Sequence, residues 1–206
     1  VVLEEMGRSL LCAPYFSTVA LAANTLIHSS DDQAKKELLP GIASGELLIA
    51  LAFEETPRFD AYAVATRAEK TAGGYRLTGN KTFVLDGHVA GKLIVSARTS
   101  GKPGERAGIS LFLVEPGKPG VAVERTVMID SRNAAKLRLE AAEVPASALI
   151  GQLDKGADVL DRVLDRATIA LSAEMLGLVS QAYETTLEYL KTRQQFDALI
   201  GSFQAL

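Results

Sequence analysis

The chain has 206 residues, 48% of them apolar, with 22 Lys and Arg against 25 Asp and Glu for a formal net charge of −3. That is enough apolar material for a sizeable core in one large domain or two small ones. The charges are scattered with no basic stripe, which argues against a nucleic-acid partner, and no apolar run is long enough to span a bilayer as a helix.

The first forty residues read as helical. The opening "VVLEEMGRSL" has no charged start followed by an apolar run, so it is not read as a secretory leader. The one cysteine, Cys12, excludes an internal disulfide and fits a reducing cytoplasm. Its setting, "LLCAPYF", predicts a small core residue rather than a nucleophile. Residues 14–27, "PYFSTVALAANTLI", are rich in Ala and Leu and predict a helix. In "SSDDQAKKELLPG" (29–41), Ser30 stands three residues before Gln33, a capping-box spacing. Asp31 and Asp32 suit the positive end of that helix, and Pro40 with Gly41 is expected to end it.

From residue 47 the texture changes. "LLIALAF" (47–53) predicts a short buried strand. "GYRLTGNKTFVLDG" (74–87) alternates on both sides of Gly79 and Asn80, which reads as a turn between two strands. The runs 92–99, 108–116, 120–127 and 135–145 repeat the signature between Gly and Pro punctuation. The spacing predicts a compact antiparallel sandwich or barrel over 47–150, with no long helix in it. From Gly156 the period is helical again. Leu160, Val163, Leu164, Ala167, Ala170, Leu171 and Leu178 fall on one broad face that is expected to be buried by this or a partner chain. Only Gly177 interrupts 157–191, so one helix of ~50 Å is expected, running to about residue 193.

Few residues carry chemistry by type and spacing. His28 and His88 are too few for a metal site and read as solvated loop residues. There is no Gly-x-Ser-x-Gly, no Walker loop, and no Gly-x-Gly-x-x-Gly after a strand. "TAGGY" (71–75) is a turn with no helix behind it. "FEETPRFD" (53–60) puts two carboxylates beside a Pro and an Arg, and on composition alone it is a polar loop. "TRQQF" (192–196) reads as a solvated helix end, with Arg193 complementing the helix dipole.

The order of the pieces says more. "SSDDQAKKELLPGIASGE", "LAFEETPRFD", "GYRLTGNKTFV", "LIGQLDKGADVL", "SAEMLGL" and "RQQFDALIGSFQAL" follow one another at separations that resemble the acyl-CoA dehydrogenase family over nearly the whole chain. The texture is most similar to the small or β-type subunits of heteromeric bacterial members. The resemblance implies an α+β fold of that type. Residues 1–46 would close an N-terminal helical domain, 47–150 would form a central antiparallel β domain, and 151–206 would begin a C-terminal helical bundle. It implies FAD as cofactor, an acyl-CoA substrate dehydrogenated at its α and β carbons, and an electron-transferring flavoprotein as electron acceptor. It also implies a cytoplasmic homo- or hetero-oligomer working in fatty-acid or steroid side-chain catabolism, with no metal.

Carried over residue by residue, the resemblance assigns FAD contacts to Phe53, Glu54, Glu55, Phe83, Leu85, Arg193, Gln195 and Phe196. Arg193 would grip pyrophosphate, and Phe196 would cover adenosine, in a neighbouring subunit's cofactor. Substrate contacts fall to Arg58, Asp165 and Thr168. No catalytic residue is assigned within the chain, because the base is expected beyond Leu206. Three departures accompany this. "FVLDG" (83–87) stands for Trp-Ile-Thr-Asn, so Leu85 replaces a threonine. The Thr-Glu-Pro loop is one residue off, so Glu54 or Glu55 takes the family's Glu position. Thr168 replaces an arginine. These motivate an alternative, a non-catalytic subunit that completes the FAD site of a heteromer. A flavin oxidase or nitroalkane oxidase on the same fold is a third reading.

Overall fold

The computed structural model describes residues 1–204. Contacts divide the chain into two compact units, Ala13–Ala167 and Val1–Cys12 with Thr168–Leu206.

The larger unit opens with a π-helical segment, Phe16–Ala23, where an ordinary α-helix was expected, followed by α2 (Asn24–His28) after the short α1 (Val2–Arg8) of the other unit. Helix α3 spans Asp32–Ser44. Its cap is Asp31, whose carboxylate accepts from the Ala34 N–H at 2.9 Å, and not the predicted Ser30. Pro40 does not end α3. It removes one hydrogen-bond donor, while Leu38, Leu39 and Ile42 on either side of it pack against the core and carry the helix through. The stop comes at Gly45, left-handed at φ +79°.

Eight strands follow: β1 (Ile49–Ala52), β2 (Arg67–Lys70), β3 (Gly74–Leu85), β4 (Lys92–Arg98), β5 (Ile109–Val114), β6 (Val121–Val127), β7 (Asn133–Pro145) and β8 (Leu149–Ile150). They form one sheet in the order β6-β7-β3-β2-β4-β5-β8, mostly antiparallel. The exception to the expected antiparallel pattern is β1, which pairs parallel with the start of β4. β2 also touches the end of β4 in parallel, through Arg67 and Arg98 alone. Gly79 and Asn80 are not a turn. β3 runs straight through them, with a register shift between Leu77 and Gly79. A Cβ on Gly79 would lie 2.4 Å from the Thr66 hydroxyl, so the glycine marks a close approach of two backbones.

The period of two in the strands sorts the core into two clusters. Ala50, Ala52, Leu93, Val95, Phe112, Leu137 and Leu139 belong to a cluster drawn from strands and turns. Ile49, Leu51, Ile94, Ile109 and Leu111 face the other way and pack with Leu26, Leu38, Leu160 and Val163 from helices.

Helix α4 (Gly156–Thr192) is continuous, as its period predicts. Its first turns bury Ala157, Leu160, Val163 and Ala167. Beyond Thr168 the expected apolar face is not buried by this chain, with Leu171 41% and Leu178 45% exposed. In that unit α1 packs on α4 along a stripe where glycines allow contact. A Cβ on Gly7 would lie 1.9 Å from the Glu174 carbonyl oxygen, and one on Gly177 would lie 1.8 Å from that of Glu4. The expected core residue Cys12 is exposed, as are its neighbours Leu10 and Leu11, because they lie in the non-helical connection after α1.

Candidate functional site

The segment 53–66 follows β1 and has almost no regular structure, yet nearly every residue in it is fastened. Phe53 is buried at the end of the strand, edge-on to Phe59 with ring centroids 6.1 Å apart. The Glu54 carbonyl accepts from the Thr82 N–H at 2.9 Å, which sets Glu54 beside β3. The Glu54 side chain is half-buried, and burial raises its carboxyl above the usual range. Glu55 is engaged on two sides. Its carboxylate accepts from Lys81 Nζ at 2.6 Å, from the Ala65 N–H at 2.7 Å and from the Thr66 N–H at 3.1 Å. Asp60 caps a tight turn by accepting from the Tyr62 and Ala63 amides. The Tyr62 hydroxyl donates to Asp161 of α4, which also accepts from Arg106 at 3.0 Å. Arg98 donates to the Val64 and Tyr62 carbonyls at 2.7 and 3.0 Å.

Alongside lies the end of β3. A register shift between Lys81 and Val84 turns Phe83 outward, 40% exposed and left-handed at φ +49°. Leu85 packs against the helical cluster and offers no hydroxyl. Asp86, also left-handed, accepts from the Ser17 hydroxyl at 2.6 Å and so ties this turn to the π-helical segment. The Thr82–Glu54 backbone bond therefore sets Glu54 alongside the residue before Phe83, and the Ser17–Asp86 bond sets the π-helical segment beside the turn that follows.

The second predicted region belongs to the other unit. Helix α4 ends at Thr192, and a small hairpin follows: β9 (Gln194–Gln195) pairs with β10 (Ala198–Leu199). Both turn residues are left-handed, Phe196 at φ 54° and Asp197 at 57°, as a two-residue hairpin requires. So "TRQQF" is a hairpin arm and not a helix end, with Arg193 the first residue past the helix. Arg193 and Gln195 are exposed, and Phe196 is 90% exposed, edge-on to Phe203 at 6.5 Å. Of the substrate candidates, Arg58 and Asp165 are exposed in the larger unit, and Thr168 is exposed in the smaller one.

Several residues in these networks were not legible as site residues: Ser17, Tyr62, Lys81, Asp86, Arg98, Arg106 and Asp161. Lys81 had a usable signal, since it shares the inward parity of Tyr75 and Leu77 along β3. The histidines differ from the expected solvated loops: His28 Nε2 and His88 Nδ1 are buried without a hydrogen-bond partner. Among the described residues no cluster of His, Cys, Asp or Glu is placed to hold a metal.

Comparison with known proteins converges on one family. Residues 50–142 match the acyl-CoA dehydrogenase middle domain, and residues 154–206 match the acyl-CoA dehydrogenase C-terminal domain. The chain belongs to the acyl-CoA dehydrogenase family. It is 33% identical over 214 residues to the mitochondrial isovaleryl-CoA dehydrogenase of Pongo abelii, covering 100% of this chain and 50% of that one. The ChsE4–ChsE5 complex from Mycobacterium tuberculosis shares the fold at a TM-score of 0.85 and 33% identity, over 99% of this chain and 52% of that one. The FAD complex of PigA does so at 0.89 and 27%, over 98% and 55%. The chain thus spans about half the length of these relatives.

Proposed function

We propose that this chain is part of an FAD-dependent oxidoreductase that dehydrogenates an acyl-CoA thioester at its α and β carbons. The observation that carries the reading is the edge formed by Glu54 and Phe83, joined through the Glu54–Thr82 backbone bond, in a chain of this family. Its chemistry fits a flavin: an open aromatic face to pack on the ring system, and a half-buried carboxyl for the polar pyrimidine edge. FAD supplies the acceptor for the hydride that leaves the β carbon.

The chain's own residues then bind and orient. Phe53 would back the edge, and Glu54 and Phe83 would hold the flavin there, Glu54 as its polar contact and Phe83 as its aromatic one. Glu55 acts through the segment it holds. Leu85 supplies an apolar wall without the hydroxyl of typical members. Arg193 and Gln195 would offer a charged fork and an amide for the pyrophosphate of a neighbouring subunit's FAD, and Phe196 would offer a cover for its adenosine. Arg58, Asp165 and Thr168 border the acyl-CoA. The base that takes the α proton is assigned outside residues 1–206. We read 1–46, 47–150 and 151–206 as the end of a helical domain, a β domain and the start of a bundle. The assembly is read as an oligomer passing electrons to an electron-transferring flavoprotein in the cytoplasm. Among the described residues no helix is long and apolar enough to cross a membrane.

A second reading, a subunit that completes the FAD site without turning over substrate, is favoured by one observation. Leu85 and Thr168 stand where typical members carry a hydroxyl and a cation. The test of both is anaerobic addition of acyl-CoA to the full-length, FAD-loaded protein, alone and with its assembly partner. Loss of the oxidised-flavin absorbance with the protein alone supports the enzyme. Loss only with a partner supports the completing subunit, and no loss in either overturns both.

A further inference from the structure

A buried ammonium is an expensive way to fill a core, and Lys81 is one. Its side chain is 0% exposed. The strand positions that share its face, Tyr75 and Leu77, and its register partner Leu137 are all apolar. A hydrocarbon of the same length would pack there without the desolvation cost of a charge. Burial draws its pKa down to about 8 even with Glu55 opposing the shift. What the charge achieves is visible in what it holds.

Lys81 Nζ donates to Glu55 at 2.6 Å and to the Ser96 hydroxyl at 2.8 Å. Glu55, 8% exposed at its side chain, passes the link on to the amides of Ala65 and Thr66, ten and eleven residues along the chain. One carboxylate therefore closes the 55–65 segment into a loop, and one lysine fastens that closure to β3. The next residue repeats the connection through the backbone, because Thr82 N–H donates to the Glu54 carbonyl at 2.9 Å. Residues 53–66 form no strand ladder of their own, so these two links and the Arg98 bonds to Tyr62 and Val64 set their course.

We infer that Lys81 is a positioning residue: acting through Glu55 and its hold on Ala65 and Thr66, it sets the path of residues 54–66 and so the Glu54–Phe83 edge against which FAD is proposed to lie. The inference rests on the function proposed above only in its last clause. The hold on the segment is a property of the protein without cofactor.

The experiment uses the full-length protein as wild type, Lys81→Met, and the double variant Glu55→Leu/Lys81→Met, which removes both charges and remains foldable where the single variant strands a buried carboxylate. Amide exchange is measured without FAD, and FAD affinity is measured by titration. In Lys81→Met, which keeps Glu55, the Ala65 and Thr66 amides should exchange at least about tenfold faster, as they should in the double variant, while the β4 and β5 amides keep their protection. FAD affinity should fall about tenfold as the edge loses its pre-organisation. A uniform loss of protection across the sheet would indicate a merely structural role and overturn the inference, as would unchanged exchange at Ala65 and Thr66. Faster exchange with unchanged FAD affinity would overturn the link to the cofactor edge. If the wild type itself binds no FAD while exchange rises as expected, the cofactor assignment fails and the hold of Lys81 on the segment stands.

Discussion

The two segments proposed to meet the cofactor are shaped in opposite ways. Residues 53–66 are irregular but pinned from below by buried charge, through Lys81, Glu55 and Arg98. Residues 193–199 are regular but exposed, and their course is set by two left-handed turn residues and a pair of short strands. The first segment depends on residues far away in sequence, with 26 positions separating Glu55 from Lys81. The second depends almost wholly on itself. The difference teaches where sensitivity to mutation should lie: in remote buried partners for the loop, and in local backbone preference for the hairpin.

The largest break in that contrast should come from Lys81→Met alone. It leaves the Glu55 carboxylate buried without its ammonium and should cost about 3–5 kcal/mol of stability, read by urea unfolding. Replacement of Arg193 should do the reverse, touching binding and not folding. Arg193→Ala should weaken FAD affinity roughly ten- to a hundredfold in the assembled protein, as loss of a charge-assisted hydrogen bond worth ~1.5–3 kcal/mol implies. Its unfolding should shift by no more than about 0.5 kcal/mol. Arg193→Lys should restore only part of the affinity, because an ammonium lacks the planar fork.

The unit that carries the hairpin has its own remote dependence, at the α1–α4 contact. Gly177→Ala would place a Cβ 1.8 Å from the Glu4 carbonyl oxygen. It should cost ~1–3 kcal/mol through overpacking, seen as a lower thermal midpoint. A smaller and opposite effect is expected at the hairpin tip. Asp197 holds φ 57°, so Asp197→Gly relieves a left-handed L-residue and should change stability by less than ~1 kcal/mol in the favourable direction.

The smallest effect sharpens the loop side through pH. Burial raises the Glu54 carboxyl above its ordinary 4.5, so the native state binds this proton more tightly than the unfolded chain does. Stability from this group is therefore present below pH 4.5 and is lost as pH rises through the folded value. Glu54→Gln should be slightly more stable than wild type at neutral pH in the FAD-free protein, and the gain should vanish on acidification below that range. A gain that persists in acid would mean the carboxyl is not the cause.

Periodicity and punctuation along the chain determined the large pattern: helices, then short strands, then one long helix. Those signals are local. Alternation every second residue marks strands, and a 3.6-residue repeat marks α4 wherever the chain lies. Six short motifs in order were likewise enough to bring the acyl-CoA dehydrogenase family into view. Local signals misled where distant contacts compete with them. Pro40 reads as a stop, but Leu39 and Ile42 are packed into the core and the helix passes through. Gly79 reads as a turn, but it is a glycine because Thr66 comes within a Cβ's reach of it. Leu171 and Leu178 read as buried, but they are exposed in this chain. The candidate site shows the same division. Phe83, Glu54 and Arg193 could be named from motifs. That Glu55 is spoken for by Lys81, that Asp86 is tied to Ser17, and that Phe196 sits at a hairpin tip were settled only by tertiary structure. A hydrogen bond between residues dozens of positions apart leaves no period in the sequence, because it is the folded sheet that brings donor and acceptor within 3 Å.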